Sequence, residues 1–336
     1  METSETREPV YDVMKGIGII LMLIGHMPPS DWLYHIIYSF HMPLFFLIAG
    51  SFASLGIDSR TACKKDFKRL LLPVFVTLAI IIGLSPLYYF IDGNFNNTIA
   101  QLLSLFWLGD TVENRWGLVA IDSMWFLVAL FWTRCIFRWI CKSCDRISKF
   151  HDEIVLLICI TLSILAIELH KVLPYFPWGF LMGVSAIQFY ALGWYLKRHC
   201  ISKWVCMVFV FIWFIALRYG SLDLVQYHYG CYPLDVVGAV GATILVYFIS
   251  NAICSYTTIS SKLFQWFGCN SLLILCVNTI DRKTCFVRAI KYLFGIELIG
   301  FNSVMFHYLI ELIMIVVIVY FSLFKKIFGT KQWKDI

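Results

Sequence analysis

Apolar runs long enough to cross a membrane alternate with short polar connections from one end of the chain to the other. Counting windows of about 20 predominantly apolar residues predicts about ten transmembrane helices, centred near residues 20, 43, 81, 130, 161, 187, 211, 242, 272 and 313. The fold class is therefore all-α: a polytopic membrane helical bundle. Residues 1–336 are read as a single integral-membrane domain, with 1–12 a short cytoplasmic N-terminus and 325–336 a short cytoplasmic tail. No small-residue cleavage site follows closely on the stretch from Ile17 to Met27, so it reads as an uncleaved first span. Paired helices broken by Gly or Pro are not evident, and there is no internal repeat.

Composition agrees with the pattern. Hydrophobic residues make up 60% of the chain and charged residues only 14%, against about a quarter charged in a soluble domain. The net charge of +6 comes from short basic clusters between apolar runs, which is topogenic and gives no reason to expect nucleic acid as a partner. Placing Lys64, Lys65, Lys68 and Arg69, then Arg134, Arg138 and Lys142, then Lys197, Arg198 and Lys203 inside puts both termini in the cytoplasm of a cell (inner or plasma) membrane. The exception is Arg282 to Ile296, which reads as an amphipathic helix on the outer surface with Arg282, Lys283, Arg288 and Lys291 toward water. The 12 cysteines are scattered. Cys141 and Cys144 have no second Cys/His pair to complete a metal site, so neither a disulfide framework nor a metal is expected.

Ionisable groups inside hydrocarbon are costly and mark chemistry. Lys15 and His26 lie on the first apolar helix, where their spacing returns to within about 20° of the same face while rising roughly 16 Å. Asp12, three residues before Lys15, is its natural partner. His26 stands just before Pro28 and Pro29, and His41 opens the next apolar run. This places His26 and His41 in one outward-opening polar pocket, although each has a bland reading as a hydrogen bond to a carbonyl. A neutral imidazole there either takes a proton from an alcohol or attacks an acyl carbon. The cluster Lys64-Lys65-Asp66-Phe67-Lys68-Arg69 serves topology alone or clamps the phosphates of a nucleotide-bearing donor. Outer connections, Asp92 to Ala120 and Ser221 to Pro233, are rich in residues suited to sugars or to an interfacial aromatic belt. Glu113 and Trp116, within the group Trp107, Asp110, Glu113, Arg115 and Trp116, are too polar a set for a belt alone. Asp122, Trp125, Asn270, Ser271 and Asn278 are further substrate contacts, or interhelical glue.

These residues carry a resemblance. Lys15 and His26, the run Phe40 to Phe46 with Gly50, Lys68-Arg69-Leu-Leu-Leu-Pro73, Trp125-Phe126-Leu127 with Leu130-Phe131, and Leu192 to Lys197 together resemble acyltransferase family 3. Within it they resemble the group of fucose 4-O-acetylases and polysaccharide O-acetyltransferases. Asn278 stands where that family often has His. The resemblance implies acetyl-CoA as cytoplasmic donor, with its phosphates near Lys64, Lys65, Lys68 and Arg69 and its thioester near His26. The acceptor it implies is a sugar hydroxyl of an envelope polysaccharide or a lipid-linked glycan. His26, Lys15 and His41 are then the catalytic group. The rival expectations are a transporter or flippase of a sugar or lipid-linked glycan, with the imidazoles as a proton relay, and a non-catalytic partner in envelope synthesis.

Overall fold

The computed structural model describes residues 8–27, 30–92, 122–145, 150–173, 176–199, 201–284, 301–320 and 327–332, with the backbone alone at 85–92, 284, 301–304 and 320. Helix dominates them. In chain order the helices are α1 (Pro9–His26), α2 (Asp31–Tyr38), α3 (His41–Ser51), α4 (Ser59–Asp66), a π-helical turn (Phe67–Leu71), α5 (Leu72–Asp92), α6 (Trp125–Cys144), α7 (His151–Val172) and α8 (Phe180–Ser185). They continue as α9 (Ile187–Arg198), α10 (Lys203–Tyr219), α11 (Tyr232–Tyr256), α12 (Thr258–Cys269), α13 (Ser271–Thr284) and α14 (Phe301–Tyr320). A two-residue antiparallel ladder, β1 (Leu222–Asp223) with β2 (His228–Tyr229), closes the connection between α10 and α11.

Every window centre read from the sequence falls on one of these helices. By length and composition six helices among the described residues are able to cross a membrane, or up to eight if two broken pairs each count once, with Met305–Val319 a shorter apolar helix. This is a helical membrane protein. The broken pairs, α8 with α9 and α12 with α13, depart from the expectation of unbroken helices. At the second break the reason is local: Asn270 leaves the helical region at φ −101°, ψ 10°, and its side-chain Nδ2 donates to the Trp266 carbonyl at 2.9 Å. An Asn side chain that competes for the backbone in this way favours a stop over a continued turn.

The described chain forms two compact units, Met1–Ala53 with Phe189–Leu272 and Gly329–Ile336, and Ser54–Gln188 with Leu273–Phe328. In the first, α1 packs against α12, α11 and α3, and α10 against α11. Bare backbones make these crossings. A methyl group at Gly16 would collide with the Phe264 carbonyl, and one at Gly268 with the Asp12 carbonyl, so α1 and α12 touch main chain to main chain. Gly50 and Gly193 do the same reciprocally between α3 and α9, facing the carbonyls of Tyr190 and Leu47. Ser51 Oγ adds a hydrogen bond to the Gly193 carbonyl at 3.2 Å. Lipid tails are as apolar as leucine, so close packing of this kind, and not hydrophobic exclusion, is what draws such helices together.

In the second unit α6 is the element on which α4, the π turn, α7 and α8 converge. Thr133 Oγ1 donates to the Ala129 carbonyl of its own helix at 2.9 Å and lies 2.7 Å from the Gly183 carbonyl of α8. Ser163 of α7 donates to the Ser185 carbonyl at the end of α8. The buried hydroxyls of Thr133 and Ser163 thus join helices.

Substituting Gly193 by Val should therefore lower stability by about 1–3 kcal/mol through overpacking. Gly83→Ala, where nothing lies within 4 Å of the added carbon, should not. Thermal unfolding of the two variants in detergent makes the comparison.

Candidate functional site

α1 begins with Pro9 at its first position, where a missing N–H costs nothing, and it runs unbroken to His26. Lys15 and His26 therefore occupy one continuous helix, separated by roughly 16 Å along its axis. Lys15 Nζ lies 3.3 Å from Asp12 Oδ1, and Asp12 itself is buried. His26 is half-buried in the last turn.

His41, the first residue of α3, is 3% exposed. Its Nδ1 stands 2.8 Å from the Ile37 carbonyl. A carbonyl only accepts, so this nitrogen carries the hydrogen, and Nε2 of the neutral ring is left as an acceptor. His26 lies within electrostatic range of His41. Tyr38 meets the His41 ring edge-on at 4.8 Å and stacks on Tyr34 at 3.9 Å. Tyr34 in turn interacts electrostatically with Asp223 of β1. Burial pushes the Asp223 carboxyl above its usual range, opposed by the Gln226 and Val225 N–H groups that bond to it. An aromatic and imidazole track thus leads from the connection to His41, and sequence reasoning missed Tyr34, Tyr38 and Asp223 in it.

In the second unit, Lys64 and Lys65 end α4 while Lys68 and Arg69 lie in the π turn, and all four are exposed. The acid among them is spoken for. Asp66 is buried, with Arg134 Nη1 at 2.8 Å from one carboxylate oxygen and Arg138 Nη2 at 2.6 Å from the other. The cluster therefore presents positive charge outward while its carboxylate pins α4 to α6. Single π-helical turns recur at functional sites, and Lys and Arg side chains of this kind are the usual holders of phosphoryl oxygens.

Asp122 has φ 52°, in the turn just before α6, and its Oδ2 is 3.7 Å from Arg282 Nε. Trp125 is buried. Between α13 and α14, Asn278 Nδ2 donates to Glu311 Oε1 at 2.7 Å. One turn along, His307 Nδ1 lies 2.6 Å from Asp281 Oδ2. Sequence reasoning missed Asp281, His307 and Glu311, although the rule that singled out His26, an ionisable group within an apolar run, applies equally to them. Arg282, exposed as expected, and Lys283 belong to the last turn of α13 and do not begin a separate helix, and Arg282 also reaches Asp122. The remainder of that proposed surface helix lies outside the described residues.

Asn270 gives its amide to backbone on both sides. Nδ2 donates to Trp266 and to the Lys331 carbonyl at 3.0 Å, and Oδ1 accepts from the Lys331 N–H at 2.9 Å. That occupies the group in holding the chain after Gly329. Ser271 opens α13, half-buried. Glu113 and Trp116, with Trp107, Asp110 and Arg115, lie outside the described residues. No group of three or more His, Cys, Asp or Glu side chains suited to a metal occurs among the described residues.

Helices of membrane length, with imidazoles set within them and an exposed lysine and arginine turn, define a helical membrane protein. A family profile described as an acyltransferase domain matches residues 9–324, and the chain belongs to that family, acyltransferase 3. Nodulation protein NolL of Sinorhizobium fredii (strain NBRC 101917 / NGR234) is 31% identical over 196 residues, 54% of this chain. The match covers 50% of NolL, so the chain spans about half the length of that curated relative. No solved structure matches.

Asp66→Ala should leave two mostly buried guanidinium groups uncompensated and cost roughly 3–5 kcal/mol, the penalty for breaking a buried ion pair by removing one partner. Denaturant unfolding in detergent measures it.

Proposed function

We propose that this acyltransferase moves an acetyl group from cytoplasmic acetyl-CoA to a hydroxyl of an envelope polysaccharide sugar or of its lipid-linked precursor. On this reading it is a multi-pass protein of the cell membrane with about ten spans and cytoplasmic termini. The observation that carries it is α1 itself. One unbroken helix holds a cation and an imidazole on nearly one face, roughly 16 Å apart, a separation suited to a donor whose reactive end sits on a long arm. Lys64, Lys65, Lys68 and Arg69 hold the nucleotide phosphates of the donor, and Lys15 supplies further positive charge along its path.

His26 takes the proton of the acceptor hydroxyl as the oxygen attacks the thioester carbonyl carbon. The C–O bond forms, negative charge collects on the carbonyl oxygen, and the C–S bond then breaks. His26 returns the proton to the leaving sulfur, so free CoA thiol and the ester are the products and the imidazole ends as it began. His41, with its hydrogen committed to Ile37, orients the group or holds the sugar. Asn278 and Ser271 are donors of the kind that stabilise an oxyanion. The two broken helix pairs resemble a device that many transporters use. A transport reading, however, gives no account of the acyltransferase family match.

Mass spectrometry of envelope glycans from cells with and without the chain should show the loss of one acetyl unit per modified sugar. His26→Ala should abolish that modification while leaving the folded protein's thermal stabilisation by CoA intact. Near wild-type acetylation by this variant would overturn the assignment of His26.

Reversing charge at Lys68 and Arg69 to Glu should raise the apparent KM for acetyl-CoA by about tenfold or more, the scale of losing charge-assisted hydrogen bonds to phosphate. Steady-state kinetics with varied acetyl-CoA reads it.

A further inference from the structure

Two hydrogen-bonded rungs join α13 to α14, and each leaves one buried oxygen unused. Asn278 and Asp281 lie three residues apart on α13, and His307 and Glu311 four apart on α14, so each pair shares one face of its helix. Asp281 and Glu311 are 0% and 2% exposed. One oxygen of each carboxylate takes part in a rung. The other two, Asp281 Oδ1 and Glu311 Oε2, are buried without a hydrogen-bond partner among the described residues. Leaving a buried acceptor unpaired costs about 1–3 kcal/mol, more when it is charged. The two carboxylates act on one another electrostatically, which adds to the cost, and Arg282, the cation facing Glu311, is shared with Asp122. The two rung hydrogen bonds join the helices, as polar groups do within a membrane, but neither unused oxygen contributes to that hold.

We propose that these two oxygens bind hydroxyl groups of the acyl acceptor, a hydroxyl-rich carbohydrate that is uncharged at this end. The unused atoms are carboxyl oxygens, which accept as carboxylate and donate when protonated, so hydroxyls, which do both and which a sugar carries in quantity, suit them in either form. Along a helix axis the rungs are about 4.5–6 Å apart, a gap that two hydroxyls of one sugar ring span and a single hydroxyl does not. Two carboxylates turn away an anionic ligand. His307, whose Nδ1 hydrogen is committed to Asp281, offers Nε2 as a third acceptor. The inference rests on the O-acyltransferase reading and names where its acceptor is held. No covalent step is assigned to these residues.

Asp281→Asn and Glu311→Gln test it, since each keeps the shape and the rung hydrogen bond but puts an amide donor where the unused acceptor was. The full chain in detergent is assayed with acetyl-CoA and with unmodified envelope glycan extracted from cells lacking the chain. The expected result is a rise of about ten- to a hundredfold in the apparent KM for the glycan, with the KM for acetyl-CoA unchanged. The unfolding temperature should stay level or rise, because a buried charge has been removed. A wild-type glycan KM in both variants would overturn the proposal, and so would a parallel rise in both KM values. A marked fall in unfolding temperature would also overturn it, by showing that the carboxylates hold the fold. Failure of the wild-type chain to acetylate the glycan would instead sink the O-acyltransferase reading, a result separable from any seen only in the variants.

Discussion

Contact between bare backbones is the constraint on which the first unit depends. Helices in hydrocarbon gain nothing by hiding leucines from one another, so their association rests on how closely they approach and on the polar bonds they share. Gly16 and Gly268 let α1 and α12 meet main chain to main chain. That fixes the rotation of α1, and with it the directions in which Lys15 and His26 point. The reciprocal crossing of Gly50 and Gly193 sets α3 against α9, and α3 begins with His41. The chemistry of this unit is thus aimed by residues that have no side chain.

Polar groups inside the helices divide into two kinds by the same accounting. Thr133, Ser51 and Asn270 each spend their donors on backbone carbonyls of another segment as well as their own, and such bonds join helices. His41 is half-committed, with one ring nitrogen satisfied by Ile37 and the other left by its tautomer as an acceptor. Asp281 and Glu311 are half-committed in the costlier sense, because what remains unpaired on each is carboxylate oxygen. The cost of burial rises steadily across this series, and so does the need for a ligand to offset it.

Much of this was legible in the sequence. Each apolar window fell on a helix, since hydrophobic runs of membrane length have few other uses, and the unbroken α1 that carries Lys15 and His26 follows from the absence of proline after its first position. The bend at Asn270 did not show, because an Asn inside an apolar run reads equally as interhelical glue, and its local bond to Trp266 is backed by bonds to the Lys331 backbone, far away in sequence. The α13–α14 cluster stayed hidden for a similar reason. Asp281 closes an apolar run beside Arg282 and Lys283, and read locally the three look like a polar surface. Asp281 is buried where it pairs with His307, a residue from a separate run. The contact of Arg282 with Asp122 was hidden in the same way, since Asp122 lies in a distant connection.

Asp66 shows why burial alone would be a poor guide to these assignments. It is as deeply buried a carboxylate as Glu311 to within a few per cent of exposure, and it sits among the residues most charged in the chain. Yet both its oxygens face guanidinium groups of one helix, four residues apart, at 2.8 and 2.6 Å, so the carboxylate is closed on both sides, and the atom left over there is a donor, Arg134 Nε. A closed arrangement explains itself as architecture: it holds α4 to α6 and so displays the lysines beside it. The carboxylates of α13 and α14 are open, each meeting a single neutral or ring donor. An open carboxylate in hydrocarbon is not explained by the fold that contains it, and the difference between the two cases lies in the count of donors, not in depth.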